Sequence, residues 1–355
     1  MSREPRSILV ERYAPSRRAL WDAFVTAGKN STFMFLRDYM DYHADRFHDH
    51  SLLIFRDDEL QAVLPANIDA GGRVVSHQGL TFGGFVMPPA MTMFSILAVV
   101  RATLAYLSAQ GVETLVYKRI PRFYSTLPDD EIDYALFLLD ADLVRRDTAL
   151  VVLPERRLVL RKGKKSELAK ARRAGVRVVQ EASFAAFWEQ VLAPRLATRY
   201  DVRPVHSVEE ITLLAARLPE HIKQYSAYLG EHIVAGVTIF ETMAVAHAQY
   251  SAANDAGREV GALDFLLDWL IGTRYSDKKY VDLGICNEDE GRTLNAALLR
   301  SKEGLGARSM AHDFYEIRTA HHGKLDAVLR AAETGTDQPP ADTGPGVLES
   351  APAPD

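Results

Sequence analysis

A histidine, a glutamine and an aspartate lie on two predicted strands in the second half of the sequence. His247 and Gln249 alternate with apolar residues, so their side chains share one face of the first strand. Asp282 lies near the C-terminal end of the second strand, where open α/β sheets usually bind ligands. Imidazole and carboxylate groups transfer protons, so these residues are candidates for general acid–base catalysis.

The same residues also have purely structural explanations. A histidine in an alanine-rich strand, such as His247, is commonly a buried residue whose hydrogen bonds are satisfied. Gln249 and Tyr250 either orient a substrate by hydrogen bonding or pack in the core. Asp264, on the helix between the two strands, is a further candidate base.

A basic patch lies near the middle of a chain whose formal net charge is −5. It consists of Arg161, Lys162, Lys164, Lys165, Lys170, Arg172, Arg173 and Arg177. Such a run of charge is usually a solvated face. It could also bind a phosphate-bearing ligand such as tRNA, a nucleotide sugar or CoA.

Cysteine and histidine usage excludes several classes of site. The single cysteine, Cys286, excludes a disulfide within the chain and a cysteine-based zinc cage. His43, His48 and His50 do not have the spacing of a standard metal site, so we expect no bound metal.

No signal peptide or long apolar run is evident, so we expect a cytoplasmic protein without a membrane span.

The elements that would position these residues occur twice along the chain, as a hairpin, a strand, a helix and a strand. In the first half they cover residues 51–55, 60–68, 73–78, 90–109 and 113–118. In the second half they cover residues 224–229, 233–240 and 244–251, a helix from about Gly261, and residues 279–285. This order is typical of a mixed α/β sheet in which the helix joins two parallel strands.

The repeat predicts two similar α/β domains, at residues 1–150 and 151–330. The first is expected to bind the acceptor of a reaction and the second to carry the chemistry. Residues 331–355 are rich in Pro, Gly and Asp and have little to bury, so they are predicted to form a disordered tail.

Several segments of the second half resemble the FemAB-like branch of the GNAT superfamily. They are RKGKKSELAKARRAGVRVV, AYLGEHIVAGVTIF, AHAQYSAAND, GALDFLLDWLIG, KYVDLGI and LLRSKEGLGAR. The resemblance is strong over Arg161 to Ile317 and weaker in the first half. It implies two tandem GNAT-like domains and the transfer of an acyl or aminoacyl group to an amine.

The two branches of this family imply different donors. Acetyl-CoA-dependent members bind pyrophosphate at a helix N-terminus, and the corresponding residues here are Arg258, Gly261 and Ala262. Leu263 stands where the last small residue of that loop should be. Fem peptidyltransferases use aminoacyl-tRNA and carry a Phe-Lys-x-Gly-Phe-Gly segment, of which Ser301 to Gly306 keeps the lysine and both glycines.

The same resemblance implies roles for individual residues. It assigns Lys302 to stabilising a developing oxyanion. Polar residues at strand ends of the first half could hold an anionic or sugar portion of the acceptor, or could be turn residues and solvated arginines. These residues are His77, Gln78, Lys118, Arg119, Arg122 and Tyr124.

We therefore predict an N-acyltransferase in which His247, Asp282 and Lys302 are catalytic and Gln249 and Tyr250 bind substrate. No bound cofactor is expected; an acyl-CoA is the expected donor, and the acceptor is an amine of a small molecule, sugar or peptide. The first alternative is a Fem-type transferase with aminoacyl-tRNA as donor. The second is a non-catalytic GNAT pair that binds carbohydrate or peptide. Each would fit cell-envelope assembly.

Overall fold

One mixed β-sheet of 11 strands runs through both halves of the chain in the computed structural model, which describes residues 8–334. A three-stranded sheet and a two-stranded ribbon complete the described β-structure. The strands are β1 (Ile8–Arg12), β2 (His48–Asp49), β3 (Leu52–Arg56), β4 (Glu59–Leu64), β5 (Asn67–Ile68), β6 (Val74–Val75), β7 (Thr114–Lys118), β8 (Asp142–Val152), β9 (Arg177–Glu181), β10 (Ile222–Leu229), β11 (His232–Glu241), β12 (Val245–Ala253), β13 (Tyr280–Ile285), β14 (Asn287–Glu288), β15 (Thr293–Leu294) and β16 (Arg308–Arg318).

Helices cover the sheet and join its strands. The helices are α1 (Arg18–Ala27), α2 (Arg37–Met40), α3 (Met93–Ala109), α4 (Glu131–Leu138), α5 (Lys162–Arg173), α6 (Ala185–Phe187), α7 (Ala193–Tyr200), α8 (Val208–Arg217), α9 (Asp255–Val260), α10 (Ala262–Trp269), α11 (Ala296–Gly304) and α12 (Asp326–Thr334). None of the helices within residues 8–334 is long and apolar enough to cross a membrane.

The repeated unit of the sequence is present in both halves. The first half contains the hairpin β3–β4, the strand β6, the helix α3 and the strand β7, and β6 pairs parallel with β7. The second half contains the hairpin β10–β11, then β12, α10 and β13, and β12 pairs parallel with β13. The predicted mixed α/β architecture is therefore confirmed.

The first unit is less regular than the sequence pattern predicted. The strand predicted at 60–68 is interrupted by Pro65, which has no N–H to donate, so β4 and β5 are separate strands. The strand predicted at 73–78 shortens to β6 because His77 adopts a left-handed φ of 67°. The hairpin β3–β4 joins the small sheet with β1 instead of the large sheet.

The helix α10 packs as its periodicity predicted. Leu266, Leu267, Leu270 and Ile271 are buried against the strands of the second half, while Leu263 is only partly buried. Each fully buried aliphatic side chain of this kind contributes about 1.5–3 kcal/mol. The helix α10 contacts β10, β11 and β12, so this packing helps to fix β12, the strand that carries His247 and Gln249.

Two strands link the halves at the centre of the large sheet, whose order there is β7–β16–β8–β13. The last strand, β16, pairs antiparallel with β7 of the first half and with β8, and Phe314 lies opposite both Lys118 and Arg145. The strand β8 in turn pairs with β13 of the second half. The domain boundary predicted at residue 150 therefore falls inside β8, and the division into two functional domains stays a prediction.

The chain after β16 differs from the predicted tail at its start. Residues 331–334, which the prediction assigned to the tail, belong to α12. The rest of the predicted tail, residues 335–355, lies outside the described residues.

A truncated chain that begins at Leu150 loses residues 142–149 of β8, so β16 loses its pairing with β8 from Met310 to Glu316, whereas β13 loses only the pair of Ile285 with Ala149. We expect this chain to lack a cooperative thermal unfolding transition, because β16, which has also lost β7, is left unpaired along most of its length. A chain that begins at Asp142 keeps β8 whole and should unfold more cooperatively. Circular dichroism of both chains would test this, and equal melting temperatures would contradict the role given to β8.

Candidate functional site

The predicted polar residues of the second half lie where two parallel strands separate. β12 and β13 pair only through Val245, Ala246 and His247, the last of which lies opposite Asp282. β12 continues to Ala253. Beyond Asp282, Gly284 turns the backbone of β13 with a φ of 79°, a conformation that glycine adopts without strain. The separation opens a gap whose first residues are the histidine and the aspartate.

The Asp282 carboxylate holds the His247 imidazole in place. Asp282 Oδ2 lies 2.7 Å from His247 Nδ1 and accepts a hydrogen bond from the Tyr124 hydroxyl at 3.1 Å. Asp282 Oδ1 accepts from the Gly284 N–H at 2.8 Å. Burial acts to raise the pKa of Asp282, but attraction to His247 and the donated hydrogen bonds outweigh it and lower that pKa.

An ionised Asp282 can only accept hydrogen bonds, so His247 Nδ1 must be the donor. In the neutral imidazole this leaves Nε2 unprotonated. Within residues 8–334 no hydrogen bond is recorded for Nε2, and His247 lines a cleft. This nitrogen can therefore accept a proton from a ligand in the cleft.

Lys302 enters the same gap from α11, whose N-terminus is capped by the Asn295 side chain. Its Nζ donates to the carbonyl oxygens of Gly284 at 3.0 Å and Ile285 at 2.7 Å. An ammonium has three N–H groups, so one remains for a ligand. Burial lowers the pKa of Lys302 to about 8, so the side chain is mostly a cation at neutral pH.

Gly284 keeps a small space open between the acid–base group and the cation. A Cβ atom at this position would lie 3.7 Å from Lys302 Nζ and 3.8 Å from His247 Cε1. Both groups therefore approach the same point, which glycine leaves free. A carbonyl group placed there would meet a proton acceptor on one side and an ammonium on the other.

These residues line a cleft of about 680 Å³ between the two halves, which we call the central cleft. Of the residues predicted as site residues, the cleft brings together His247, Gln249, Tyr250, Asp282, Lys302, Lys118 and Tyr124. Its remaining polar lining comes from Thr81, Arg145, Asp147, Arg203, Ser251 and His312.

The two predicted substrate-binding residues of β12 differ in what they can offer. Gln249 Oε1 is buried without a protein partner, so it can accept a hydrogen bond from a ligand. The Tyr250 hydroxyl instead lies 2.5 Å from His206 Nδ1, and its ring packs on Trp188. Tyr250 therefore shapes the wall, while Gln249 keeps a free polar atom.

Arg119 and Arg122, predicted to bind the acceptor, do not line the central cleft. Arg119 is buried and its guanidinium binds Asp129 at 2.8 Å and Asp133 at 3.1 Å. Arg122 is exposed and pairs with Asp130 at 2.9 Å. Their charges are balanced within the protein, so their positions do not support the predicted contact with an anionic acceptor.

His77 and Gln78 also lie outside the lining of the central cleft. The His77 ring is buried and stacks on His43 with 5.1 Å between ring centroids. The Gln78 side chain accepts a hydrogen bond from the Asn67 side chain at 2.7 Å. Both are therefore engaged in local structure.

The predicted donor loop lines a second cavity of about 500 Å³, which shares Leu192, Leu196, Ser251 and Leu298 with the central cleft. Arg258 and Gly261 line this second cavity, and Ala262 is buried below it.

Acidic groups surround the N-terminus of α10 at this cavity. Asp264 is held by Lys164 Nζ, at 2.5 Å from Oδ1, and Glu167 also lines the cavity. Arg258 pairs with Asp255. Carboxylates at a helix N-terminus oppose the binding of phosphate there, so the role of Arg258, Gly261 and Ala262 in donor binding stays a prediction.

The basic patch of the sequence lies mainly on the outer face of α5. Lys162, Lys165 and Arg173 are exposed, whereas Lys164 turns inward to Asp264. Cys286 is buried, as expected for a small filling residue. Among residues 8–334 no group of three or more His, Cys, Asp or Glu side chains is arranged to hold a metal ion.

Sequence reasoning missed the residues that β8 and β16 bring to the central cleft. Arg145 and Asp147 alternate on β8, and His312 and Phe314 alternate on β16, so each pair shares one face of the sheet. This alternation of polar residues was visible in the sequence. It could not indicate a site, because the pairing partners of both strands lie far away along the chain.

Two lysines of the central cleft should titrate well below the ordinary value of 10.5. Burial lowers the pKa of Lys302 to about 8, and burial together with the nearby Arg145 lowers that of Lys118 to about 7. ¹³C NMR of the reductively methylated protein would measure both values, with Lys302→Arg and Lys118→Arg used to assign the signals. Titration of both lysines near 10.5 would contradict the burial of their charged forms.

Neither a protein-family model nor a curated protein matches the sequence. Solved structures do match. FemX aligns with a TM-score of 0.62 and 10% identity, covering 89% of this chain and 99% of the FemX chain. L-PGS from Bacillus licheniformis aligns with a TM-score of 0.55 and 13% identity, covering 90% of this chain and 97% of that chain.

A third match is the C-terminal domain of a candidate lysylphosphatidylglycerol synthetase from Agrobacterium fabrum. Its TM-score is 0.56 at 10% identity, and the alignment covers 90% of this chain and 96% of that domain. Identities this low establish the fold alone, but the alignments span both halves. The chain thus shares the fold of FemX, as the resemblance of its sequence to the FemAB-like branch of the GNAT superfamily implied.

Proposed function

We propose that this protein is an N-acyltransferase, which moves an acyl group from an activated donor to an amine. The observation that carries this proposal is the approach of two side chains to the space above Gly284, where Lys302 Nζ and His247 Cε1 lie 3.7 and 3.8 Å from the position of a Cβ atom. A proton acceptor and a cation are two groups that accelerate acyl transfer to an amine.

The proposed reaction uses both groups. The amine nitrogen attacks the acyl carbon, and His247 Nε2 takes the proton that the nitrogen loses as the N–C bond forms. Lys302 donates a hydrogen bond to the oxyanion that develops on the carbonyl oxygen. The bond between the acyl carbon and the leaving sulfur or oxygen then breaks, and the leaving group takes up the proton from His247.

An acyl-CoA is the first candidate donor. Beyond His247, the edge of β12 has no pairing with β13, and this edge borders both cavities. The arm of CoA contains amide groups, which could hydrogen-bond to such an edge as an added strand does. The acyl end would then reach the space above Gly284.

An aminoacyl-tRNA is the second candidate donor, favoured by the charges around the second cavity. Glu167 and Asp264 oppose a pyrophosphate at the N-terminus of α10. Exposed cations of the basic patch, such as Lys162 and Lys165, lie on α5, the helix that also carries Glu167. An RNA phosphate backbone is the kind of ligand that such an exposed basic helix attracts.

Lys302→Met should lower kcat by about 100-fold, because it removes one preorganised donor to the oxyanion. In the wild type, activity should fall as the pH rises through about 8, since Lys302 is charged below that pH and neutral above it. Lys302→Arg should move this fall to higher pH, because guanidinium stays charged. Steady-state kinetics from pH 6 to 10 would measure both effects.

A matched control is Lys278→Met, which removes a partly buried lysine paired with Glu241 outside the central cleft. Its kcat should equal that of the wild type. An unchanged kcat in Lys302→Met would exclude Lys302 from the chemistry, and a change in KM alone would make it a binding group.

The donor can be identified by thermal unfolding and by tRNA binding. Acetyl-CoA at 100-fold its Kd should stabilise the protein by about 2.7 kcal/mol. Arg258→Ala should reduce this shift, while Arg122→Ala, outside both cavities, should leave it unchanged. Absence of a shift with any acyl-CoA, together with salt-sensitive binding of charged tRNA, would instead support aminoacyl-tRNA as donor.

A further inference from the structure

A buried lysine without a carboxylate partner lies in the central cleft, on the side formed by the first half. Lys118 is 8% exposed, and its Nζ donates to the carbonyl oxygens of His77, at 3.1 Å, and Leu80. No ion pair of Lys118 is recorded within residues 8–334. Lysine is rarely buried unless its charge is paired, so this charge calls for a partner that the protein does not supply.

The neighbours of Lys118 form a row across three adjacent strands. Phe314 of β16 lies opposite Lys118 of β7 on one side and Arg145 of β8 on the other. The Arg145 guanidinium lies 4.7 Å from the centre of the Phe314 ring and binds Asp147 at 2.7 Å. In the next row His312 lies opposite Asp147. All five residues line the central cleft.

The charged groups of the central cleft do not balance when Lys118 is protonated. Lys118, Arg145 and Lys302 are then three cations, and they face the two carboxylates Asp147 and Asp282. The exposed Arg203 adds positive charge at the rim, and His312 stays neutral because burial lowers its pKa to about 4. One positive charge is therefore left uncompensated beside Lys118.

A polar group in the next row also lacks a partner. His312 is 4% exposed and its Nε2 has no hydrogen-bond partner in the described part of the chain. A neutral imidazole nitrogen can donate or accept. Lys118 and His312 thus offer a ligand a cation and a second hydrogen-bonding group in one place.

We propose that the acceptor amine carries a small oxyanion, a carboxylate or a phosphate, and that Lys118, Arg145 and His312 bind it while the amine lies at His247. This inference rests on the proposed function and narrows its substrate class. It also replaces the contact predicted for Arg119 and Arg122 with groups that reach the cleft. Amines without a nearby anion would leave the Lys118 charge unpaired and should be poor acceptors.

Binding of the anion should change the protonation of Lys118, which would not occur if this lysine had only a structural role. The titratable groups near Lys118 are His77, which follows β6, Arg145 and Asp147 on β8, and His312 on β16. Burial lowers the pKa of both histidines. Burial and Arg145 lower the pKa of Lys118 to about 7, and a bound oxyanion opposes both effects. Anion binding at pH 8 should therefore be accompanied by uptake of a proton.

The experiment is isothermal titration calorimetry of the full-length protein with matched amines, without any acyl donor. Glycine is compared with glycinamide, and phosphoethanolamine with ethanolamine. At least one amine that carries an anionic group should bind about tenfold or more tightly than its partner without that group, as expected for a charge-assisted hydrogen bond. The pair with the larger ratio identifies carboxylate or phosphate as the bound group. Titrations at pH 8 in buffers of different ionisation enthalpy measure proton uptake.

Lys118→Met should lose both the preference for the anionic amine and the proton uptake, and circular dichroism checks that it folds. Arg145→Gln changes a more exposed cation and should weaken the preference for the anionic amine. This variant replaces Lys118→Met in the test if Lys118→Met does not fold. The control Arg122→Gln should behave as the wild type.

An equal affinity for amines with and without the anionic group in the wild type would overturn the proposal, as would a preference that Lys118→Met and Arg145→Gln both retain. A separate assay with an acyl donor tests the proposed function. If the protein binds the anionic amine in calorimetry but transfers no acyl group in that assay, the proposed function is rejected, whereas the anion site is not, because the calorimetry does not depend on turnover.

Discussion

The buried carboxylate of Asp282 is held by groups from both halves of the chain. Tyr124 of the first half and His247 and Gly284 of the second half all place donors on it. A buried charge of this kind is stable only while its partners remain, and loss of one partner is strongly destabilising. The orientation of the imidazole, the turn at Gly284 and the docking of Tyr124 therefore depend on one ionised group.

Burial lowers the pKa of both lysines in the central cleft, but the charged groups near them differ. Lys302 donates to two strand carbonyls and is charged at neutral pH, with Asp282 nearby to favour its charge. Lys118 has Arg145 as its charged neighbour, which disfavours its charge further. Lys302 is thus suited to the oxyanion that would form transiently in the proposed acyl transfer. Lys118 is suited to an anionic group that the acceptor would carry throughout the reaction.

The sequence predicted those parts of the site that depend on local pattern. His247 and Asp282 come together because both lie where the pairing between the parallel strands β12 and β13 of one repeated unit ends. Arg119, which the sequence predicts to bind the acceptor, is instead paired inside the protein with Asp129. The two residues are ten positions apart, and only the folded chain brings them together. Arg145 and His312 were missed because strand exchange between the halves leaves no local signal. The alternation of residues along a strand shows which side chains share a face of the sheet. Only the register between strands shows which residues of another strand lie beside them.

The exchange of strands also constrains how the protein is made. The strand β7, which carries Lys118, pairs with β6 on one side and on the other side with β16, which carries Phe314. During synthesis from the N-terminus, this second edge of β7 must therefore stay open until residues 308–318 have left the ribosome. Pairings so distant in sequence form slowly, and open edges invite aggregation in the interval. This edge of β7 therefore remains open to pairing with other chains until β16 has been made.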